Sequence, residues 1–389
     1  MQTNAADLIY LDNNATTRPD AKVVDAMLPL LREKFYNPSS PYPAASGVAD
    51  AIAAARTSVM RLLGARRPSE IVFTSGGSES IHTAFHAASQ HIATRPRVVT
   101  SAVEHSAVKA AAQRWVDMDR VDWRVIDVDQ NGRLDRASLF AAIDQECGLV
   151  SLMLANNETG VISDLEGVGQ ACRAHGALLH LDAVQGPGKM VLDMQGLGAD
   201  FASLAAHKFH GPKGVGALYV RHGVKLPAWL PGGPQENERR AGTENTAGIV
   251  GMGVAADIAA ARAADPSALA RLADLRDRLE TGILQAVAGA EVHGHRAPRL
   301  PNTSSIYLPG GEASLLLALL ADAGVFASAG SACNAGSRAP SPVLLAMGLD
   351  SQAAGSSLRF SLSHETSAVD IQRAVAAVAE ACRLLLSLD

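Results

Sequence analysis

The sequence predicts an α/β protein built on a mostly parallel sheet, and three observations carry that expectation. Short apolar runs alternate with helical segments through about residue 220, the signature of βαβ units. The polar side chains with chemical potential fall just past the carboxyl ends of those runs, where open α/β sheets bind their ligands. The chain is 389 residues long, 48% hydrophobic but only 4% aromatic, so it is Ala/Val/Leu-rich with room for more than one core.

Taken in order, residues 8–17 (LIYLDNNATT) read as a short strand running into an Asx-rich turn. A Pro/Ser loop, Asn37 to Gly47, precedes an Ala-rich helix to about Leu63. EIVFTSGGSES gives a strand at 71–74, a glycine pair, then Ser78 and Glu79 opening a helix. Backbone amides at such a turn form an anion nest; the spelling is neither GxxxxGK[ST] nor GxGxxG. RVVTSAVEHSAV (97–108) is a strand ending near Glu104 and His105, with Ser106 as the expected helix cap. LVSLMLANNETG ends at Asn156, Asn157 and Glu158, and a helix is expected over 164–176. ALLHLDAVQ ends at Asp182, with Gln185 three residues on, and strand 200–205 delivers His207 and Lys208 before the turn GPKGVG. The formal GxGxxA at 251–256 lies inside a small-residue helix and reads as close helix packing. Arg239 and Arg240 either contact an anion or stay solvated. An amphipathic helix at 267–288 leads to a C-terminal unit with strands at 303–308 and 357–362 and helices at 313–323 and 367–386.

Lys208 is the pivotal residue. Lysine is almost never fully buried unless paired, and a desolvated lysine at a strand end is the group that forms Schiff bases. A surface lysine on a turn is the bland alternative for that stretch alone. Asp182, at the end of a neighbouring strand, suits the ring nitrogen of pyridoxal 5'-phosphate (PLP), holding it protonated so that the cofactor is an electron sink. Alone it would be a turn or cap residue; strand-end Asp and strand-end Lys together favour PLP. Arg359, within SLRFSL, suits bidentate binding of a carboxylate, or an ion pair that spacing does not exclude. Cys333 sits in the Gly/Ser/Ala loop FASAGSACNAGSRAPSP, expected to be exposed and mobile, which favours a nucleophile. Cys147, Cys172 and Cys382 fall in or beside helices, as small apolar fillers.

Composition excludes other classes. Net charge is -5 with no basic block, so neither nucleic acid nor an anionic membrane is expected as a partner. No apolar run approaches ~20 residues, which argues against a membrane span, and the first residues lack a basic-then-apolar signal. Dispersed cysteines without CxxC suggest reduced thiols, a cytoplasmic location and no structural metal site.

With these residues in hand, the chain closely resembles the cysteine desulfurases, PLP enzymes of the class V aminotransferase group. YLDNNATT, NPSS, FTSGGSES, EHSAV, NNETG, DAVQ, AHKFHGPKGVG, RRAGTEN, SAGSAC and LRFSL occur in the family's order from about residue 10 to residue 363. RFSLS and the short C-terminal tail look most like the nitrogen-fixation-type branch. The resemblance implies the type I transferase fold. A large domain with a mostly parallel seven-stranded sheet flanked by helices would occupy residues 16–264. A smaller α+β domain carrying the catalytic cysteine loop would occupy 265–389, joined by the segment 1–15. It implies that Lys208 carries PLP, that His105 stacks on the ring, and that Asp182 binds its nitrogen. Gln185 and Asn157 would reach the phenolic oxygen or the substrate. Gly77, Ser78 and His207 would hold the phosphate, with Thr243 reaching the phosphate in the other subunit of a homodimer. Arg359, with Asn13 and Asn157, would bind L-cysteine, and Cys333 would accept its sulfur as a persulfide. The sulfur would pass to an iron-sulfur scaffold or another acceptor protein, Cys333 serving at most as a transient cluster ligand. A selenocysteine lyase, or another β-eliminating PLP lyase, would share Lys208 and Asp182 without depending on Cys333; a PLP-binding adaptor with little turnover is the non-enzymatic alternative. Departures from the family pattern are Ala205 in place of a serine donor, Tyr42 after NPSS, Ile81-His82, and Asn237-Glu238 where Arg-Gly is familiar.

Overall fold

The computed structural model describes residues 8–118, 121–330 and 339–387, and every structural statement below concerns those residues. Its strands are β1 (Ile9–Tyr10), β2 (Ile71–Thr74), β3 (Arg97–Ser101), β4 (Asp122–Ile126), β5 (Cys147–Met153), β6 (Leu178–Asp182), β7 (Phe201–Ala205), β8 (Gly216–Val220), β9 (Glu291–Val292), β10 (Thr303–Tyr307), β11 (Val325–Phe326) and β12 (Ser357–Ser361).

Seven strands form the main sheet in the order β2-β8-β7-β6-β5-β3-β4. From β7 to β4 the neighbours run parallel, while β8 is antiparallel to both β2 and β7. The reversal follows from the short link between β7 and β8, because a parallel return needs a crossover of a dozen residues or more. Strands β5 to β8 are buried along their whole length, as a sheet covered on both faces requires. Side chains alternate between two cores: Ile71 and Phe73 join one, Val72 the other, the period of two that a pleated strand imposes. Helices Pro43–Leu62 and Thr246–Ala263 cover the first face, and Gly77–Ala87 and Ser106–Val116 the second.

Strand β4 lay outside the sequence expectation. It is an edge strand with mostly half-exposed side chains, so neither alternation nor a continuous apolar run marks it. Helix Thr246–Ala263 differs in another way. Its 18 residues have a mean hydropathy of 1.2, long and apolar enough to cross a bilayer, against the expectation that no run was. It lies instead in the core against helix Pro43–Leu62. An added Cβ on Gly253 would come within 2.6 Å of the Ala55 backbone, so the small-residue pattern does serve close helix packing.

A second core gathers helix Pro266–Ala286, the antiparallel sheet β12-β10-β9, helices Ala313–Asp322 and Ala368–Leu386, and Ile9 and Leu11 from the other end of the chain. β1 enters this core by pairing in parallel with β11. Residues 12–17 then cross to the main sheet: the Asn13 N–H donates to Ser361 and the Thr17 N–H to the carbonyl of His207.

Candidate active site

The parallel strands end around a cleft of about 460 Å³. β7 stops at Ala205, and Ala206–Lys208 form one 3-10 turn that carries the lysine out of the sheet. Lys208 Nζ donates to the carbonyls of Asn14 (2.7 Å) and Ala15 (2.8 Å). Asp182 ends β6 beside Ser203 of β7, and its Oδ1 accepts from the Val184 N–H at 3.1 Å. Burial raises the Asp182 carboxyl above the ordinary range, and the charges of His105 and Lys208, with that N–H, oppose the rise. His207 is pushed down to about 4 by burial first and then by Lys208 and Lys213; its Nδ1 lies 3.2 Å from the Thr16 hydroxyl.

The helix cap expected at Ser106 is His105 instead: its Nδ1 accepts from the Ala107 N–H at 3.2 Å. Imidazole presents an acceptor nitrogen much as Asn does, so the ring is fixed at the helix start. The glycine turn before helix Gly77–Ala87 borders the same cleft, and a Cβ on Gly77 would sit 3.1 Å from Val184. Gly216 backs that turn: its added Cβ would fall 2.6 Å from Gly76 Cα, an approach only glycine permits.

Arg359, in the middle of β12, is 2% exposed. Its Nη2 donates to Asp12 Oδ1 at 2.6 Å, and its Nη1 to the carbonyls of Gly330 and Asn157. Its Nε is buried without a partner. The ion pair foreseen as the alternative is therefore present, while the buried Nε is left without a partner among the described residues.

Of the residues singled out in the sequence, Gly77, Ser78, His105, Asn157, Asp182, Gln185, His207, Lys208 and Arg359 line this one cleft. Asn13 does not. Its amide donates to the carbonyls of Tyr10 and Ser361, and Asn14 takes the cleft-facing place. Thr243 is exposed and away from the cleft lining. Cys333 lies outside the described residues. Arg240 pairs with Glu79 at 2.9 Å and Arg239 bonds the carbonyls of Ser69 and Glu236, so neither is merely solvated. Glu238, where the familiar pattern has glycine, has φ 62° and Asn237 has φ 56°, a left-handed backbone that costs a side-chain-bearing residue about 1–2 kcal/mol each.

Sequence reasoning assigns no role to five buried or half-buried ionisable residues at or beside the cleft, Asp12, Glu104, Lys109, Glu158 and Lys189, although it places Glu104 and Glu158 at strand ends. Each stands next to a residue already chosen or within about one turn of it, but a lone carboxylate or lysine, whether in a loop or, like Lys109, in a helix, carries no periodic signal. Glu158 Oε2 accepts from Ser341 at 2.5 Å, and burial raises its carboxyl. Glu104 is pushed up to about 8, chiefly by burial. Its Oε1 accepts from Ser101 and the Met153 N–H, whereas Oε2 is buried without a partner, the arrangement of a protonated acid.

A carboxyl whose pKa rises on folding binds its proton more tightly when folded, so its contribution is fully present below about 4.5 and lost as pH climbs toward about 8. Glu104→Gln keeps the accepting oxygen and puts NH2 where the neutral acid has OH. The variant is expected to match the native protein near pH 4.5 and to exceed its urea midpoint increasingly up to pH 9. Parallel stability curves at all pH values would show that Glu104 ionises freely.

Residues 9–374 match the aminotransferase class-V family, and the chain belongs to it. A cysteine desulfurase of Cereibacter sphaeroides is 47% identical over 94% of this chain and 93% of its own length. The cysteine desulfurase NifS of Azotobacter vinelandii is 42% identical, covering 94% of this chain and 90% of that protein. Among solved structures, a NifS-like protein superposes with a TM-score of 0.87 at 34% identity, over 96% of this chain and 98% of the other.

Proposed function

We propose that the protein is a PLP-dependent cysteine desulfurase, which converts L-cysteine to L-alanine and retains the sulfur as a persulfide on Cys333. The observation that carries this reading is the convergence, on one cleft, of a strand-end amine, a buried carboxylate, a glycine turn at a helix start and a buried arginine with a spare donor. The names of the relatives support the same activity.

The donor set suits PLP. Asp182 is buried at the end of β6 with the charges of His105 and Lys208 near it, and a protonated ring nitrogen is a partner that would suit such a carboxylate. The Gly77 and Ser78 turn offers backbone N–H groups to a phosphate; Ala205 provides no hydroxyl there, so one hydrogen bond worth about 1 kcal/mol is absent. His207, its pKa lowered, would meet the phosphate as a neutral donor. His105 would lie against the ring, and Lys208 would hold the cofactor covalently. PLP, when bound, withdraws electrons from the substrate α-carbon and so labilises the bonds around it.

The chain's own groups do the rest. Arg359 takes the substrate carboxylate with the fork that Asp12 holds in place, and Asn157 borders the same position. The Lys208 amine removes and returns a proton at the substrate α-carbon. The Cys333 thiolate attacks the substrate sulfur: an S–S bond forms, the Cβ–S bond breaks, and its electron pair stays with the carbon skeleton, which is protonated and leaves as alanine. Thiol plus cysteine thus becomes persulfide plus alanine, with no external oxidant. Thr243, exposed and away from this chain's cleft, fits a homodimer in which it completes the cleft of the second copy. A cytoplasmic setting, delivery to an iron-sulfur scaffold or other sulfur acceptor, and the division at residues 15 and 264 belong to the same reading.

The test is the absorption spectrum of the PLP-loaded protein before and after L-cysteine, with alanine and sulfide assayed under reductant. A yellow band that changes with cysteine, together with alanine, is expected. A protein that takes up no PLP would overturn the reading at its root. A yellow protein that releases alanine from selenocysteine but not from cysteine would replace it with the lyase.

A further inference from the structure

Lys189 is a buried lysine that no step above uses. The chain leaves β6 at Asp182, turns through Gly186 and Gly188 (φ 73°), and the Lys189 N–H donates to the Gly186 carbonyl at 3.1 Å. This turn carries Lys189 back beneath Gln185. Only 9% of Lys189 is exposed, and its Nζ donates to Gln185 Oε1 at 2.8 Å and Asn14 Oδ1 at 3.4 Å. No carboxylate pairs with it among the described residues; burial first, and then the charges of Lys208 and Arg359, bring its pKa down to about 7. A buried amine held only by two amide oxygens is a costly way to fill space.

Its geometry has one specific consequence. A carboxamide has an accepting oxygen and a donating nitrogen of nearly the same shape, and its partners decide which way it faces. Gln185 Oε1 meets the Lys189 amine, while Nε2 donates to the Asn14 carbonyl at 3.1 Å. Asn14 is pinned in turn: its carbonyl also accepts from Lys208 Nζ, its Oδ1 from Asn302 at 3.0 Å, and its Nδ2 donates to Thr303 at 2.9 Å. The second N–H of Gln185 is thereby the one left for an acceptor in the cleft, which Gln185 lines.

We propose that Lys189 is a positioning residue: it clamps the Gln185 carboxamide so that an N–H, not the oxygen, meets the phenolic oxygen of the cofactor. The inference rests on reading this cleft as a PLP site with Gln185 at that oxygen. A donor to the phenolate stabilises its negative charge and loosens its hold on the proton of the neighbouring nitrogen carried by Lys208. Losing the clamp leaves the carboxamide tethered only at the Asn14 carbonyl, so its N–H is no longer held on that oxygen and the hold on the proton tightens.

The experiment titrates the yellow band of the PLP-loaded protein with pH, and the affinity of the apo-protein for PLP by fluorescence. Lys189→Met is expected to raise the spectral midpoint by about half to one pH unit and to weaken PLP binding about fivefold, the size of one ordinary hydrogen bond. Because Lys189→Met also deletes a charge, the same change is made on a Gln185→Ala background. A shift that disappears there supports the clamp; a shift of equal size in both backgrounds means Lys189 acts only by its charge and overturns it. Should Lys189→Met not accumulate as folded protein, Lys189→Gln, which keeps a donor without the charge, is read alone. A native midpoint then supports the clamp and a raised one overturns it. Borohydride reduction of the native protein, with the modified residue located by mass, separates this from failure of the cofactor reading: no label on Lys208 sinks the PLP site, whereas a labelled Lys208 with an unmoved Lys189→Met midpoint sinks the clamp alone.

Discussion

Lys208→Ala is expected to reduce alanine formation from L-cysteine about a thousandfold or more. The substitution removes both the covalent hold on the cofactor and the base at the substrate α-carbon, and a positioned base alone is worth about 10²–10⁴ in rate. It also strips a donor from the carbonyls of Asn14, which keeps the Gln185 N–H, and Ala15, at about 1 kcal/mol for each hydrogen bond lost. A fall in melting temperature is therefore expected as well. Methylamine separates the two effects, since a small soluble amine can occupy the vacated space and accept the proton. Partial recovery of alanine production with added amine, without recovery of the melting temperature, is the expected result. Native turnover in the variant would remove Lys208 from the chemistry.

Cys333→Ala is expected to abolish persulfide formation and to cut alanine release by at least about a hundredfold while leaving the cofactor band and its response to cysteine intact. The other thiols cannot take over. Cys147, Cys172 and Cys382 are buried, and burial pushes Cys147 up to about 12 and Cys382 up to about 11, with Cys172 raised further. At pH 7 a thiol of pKa about 12 is ionised to about one part in 10⁵, and the thiolate is the nucleophile. Mass spectrometry of the protein after cysteine treatment reads the added sulfur directly. A Cys333→Ala protein that still gains one sulfur atom would reassign the acceptor; one that still makes alanine at full rate would favour the lyase.

Much of this site was legible because its residues sit at strand ends that apolar runs announce. Lys208, Asp182 and His105 each follow such a run, and the parallel sheet brings their ends together. Arg359 was visible for a different reason: a charged residue inside an apolar strand must be paired. Asn13 was chosen over Asn14 because two adjacent asparagines in a turn point different ways, and only backbone geometry decides which. His105 rather than Ser106 capped its helix for the same local reason. Glu104 and Lys189 carried no signal, because their significance lies in burial, which depends on what the rest of the chain packs around them. Strand β4 was missed as a half-exposed edge.

The crossing made by residues 12–17 bears on how the enzyme is made. Asp12 pairs with Arg359, 347 positions away, and the Asn14 N–H bonds the Ser361 hydroxyl, while the Asn14 and Ala15 carbonyls hold Lys208. Contacts of such sequence separation are slow to form, because the chain between them must first be ordered. Residues 12–17 thus meet the main sheet at His207 and Lys208, but their anchorage at Arg359 and Ser361 requires β12 to be in place. The short crossing that holds Lys208 is therefore tied to both cores, and its β12 end closes across most of the chain.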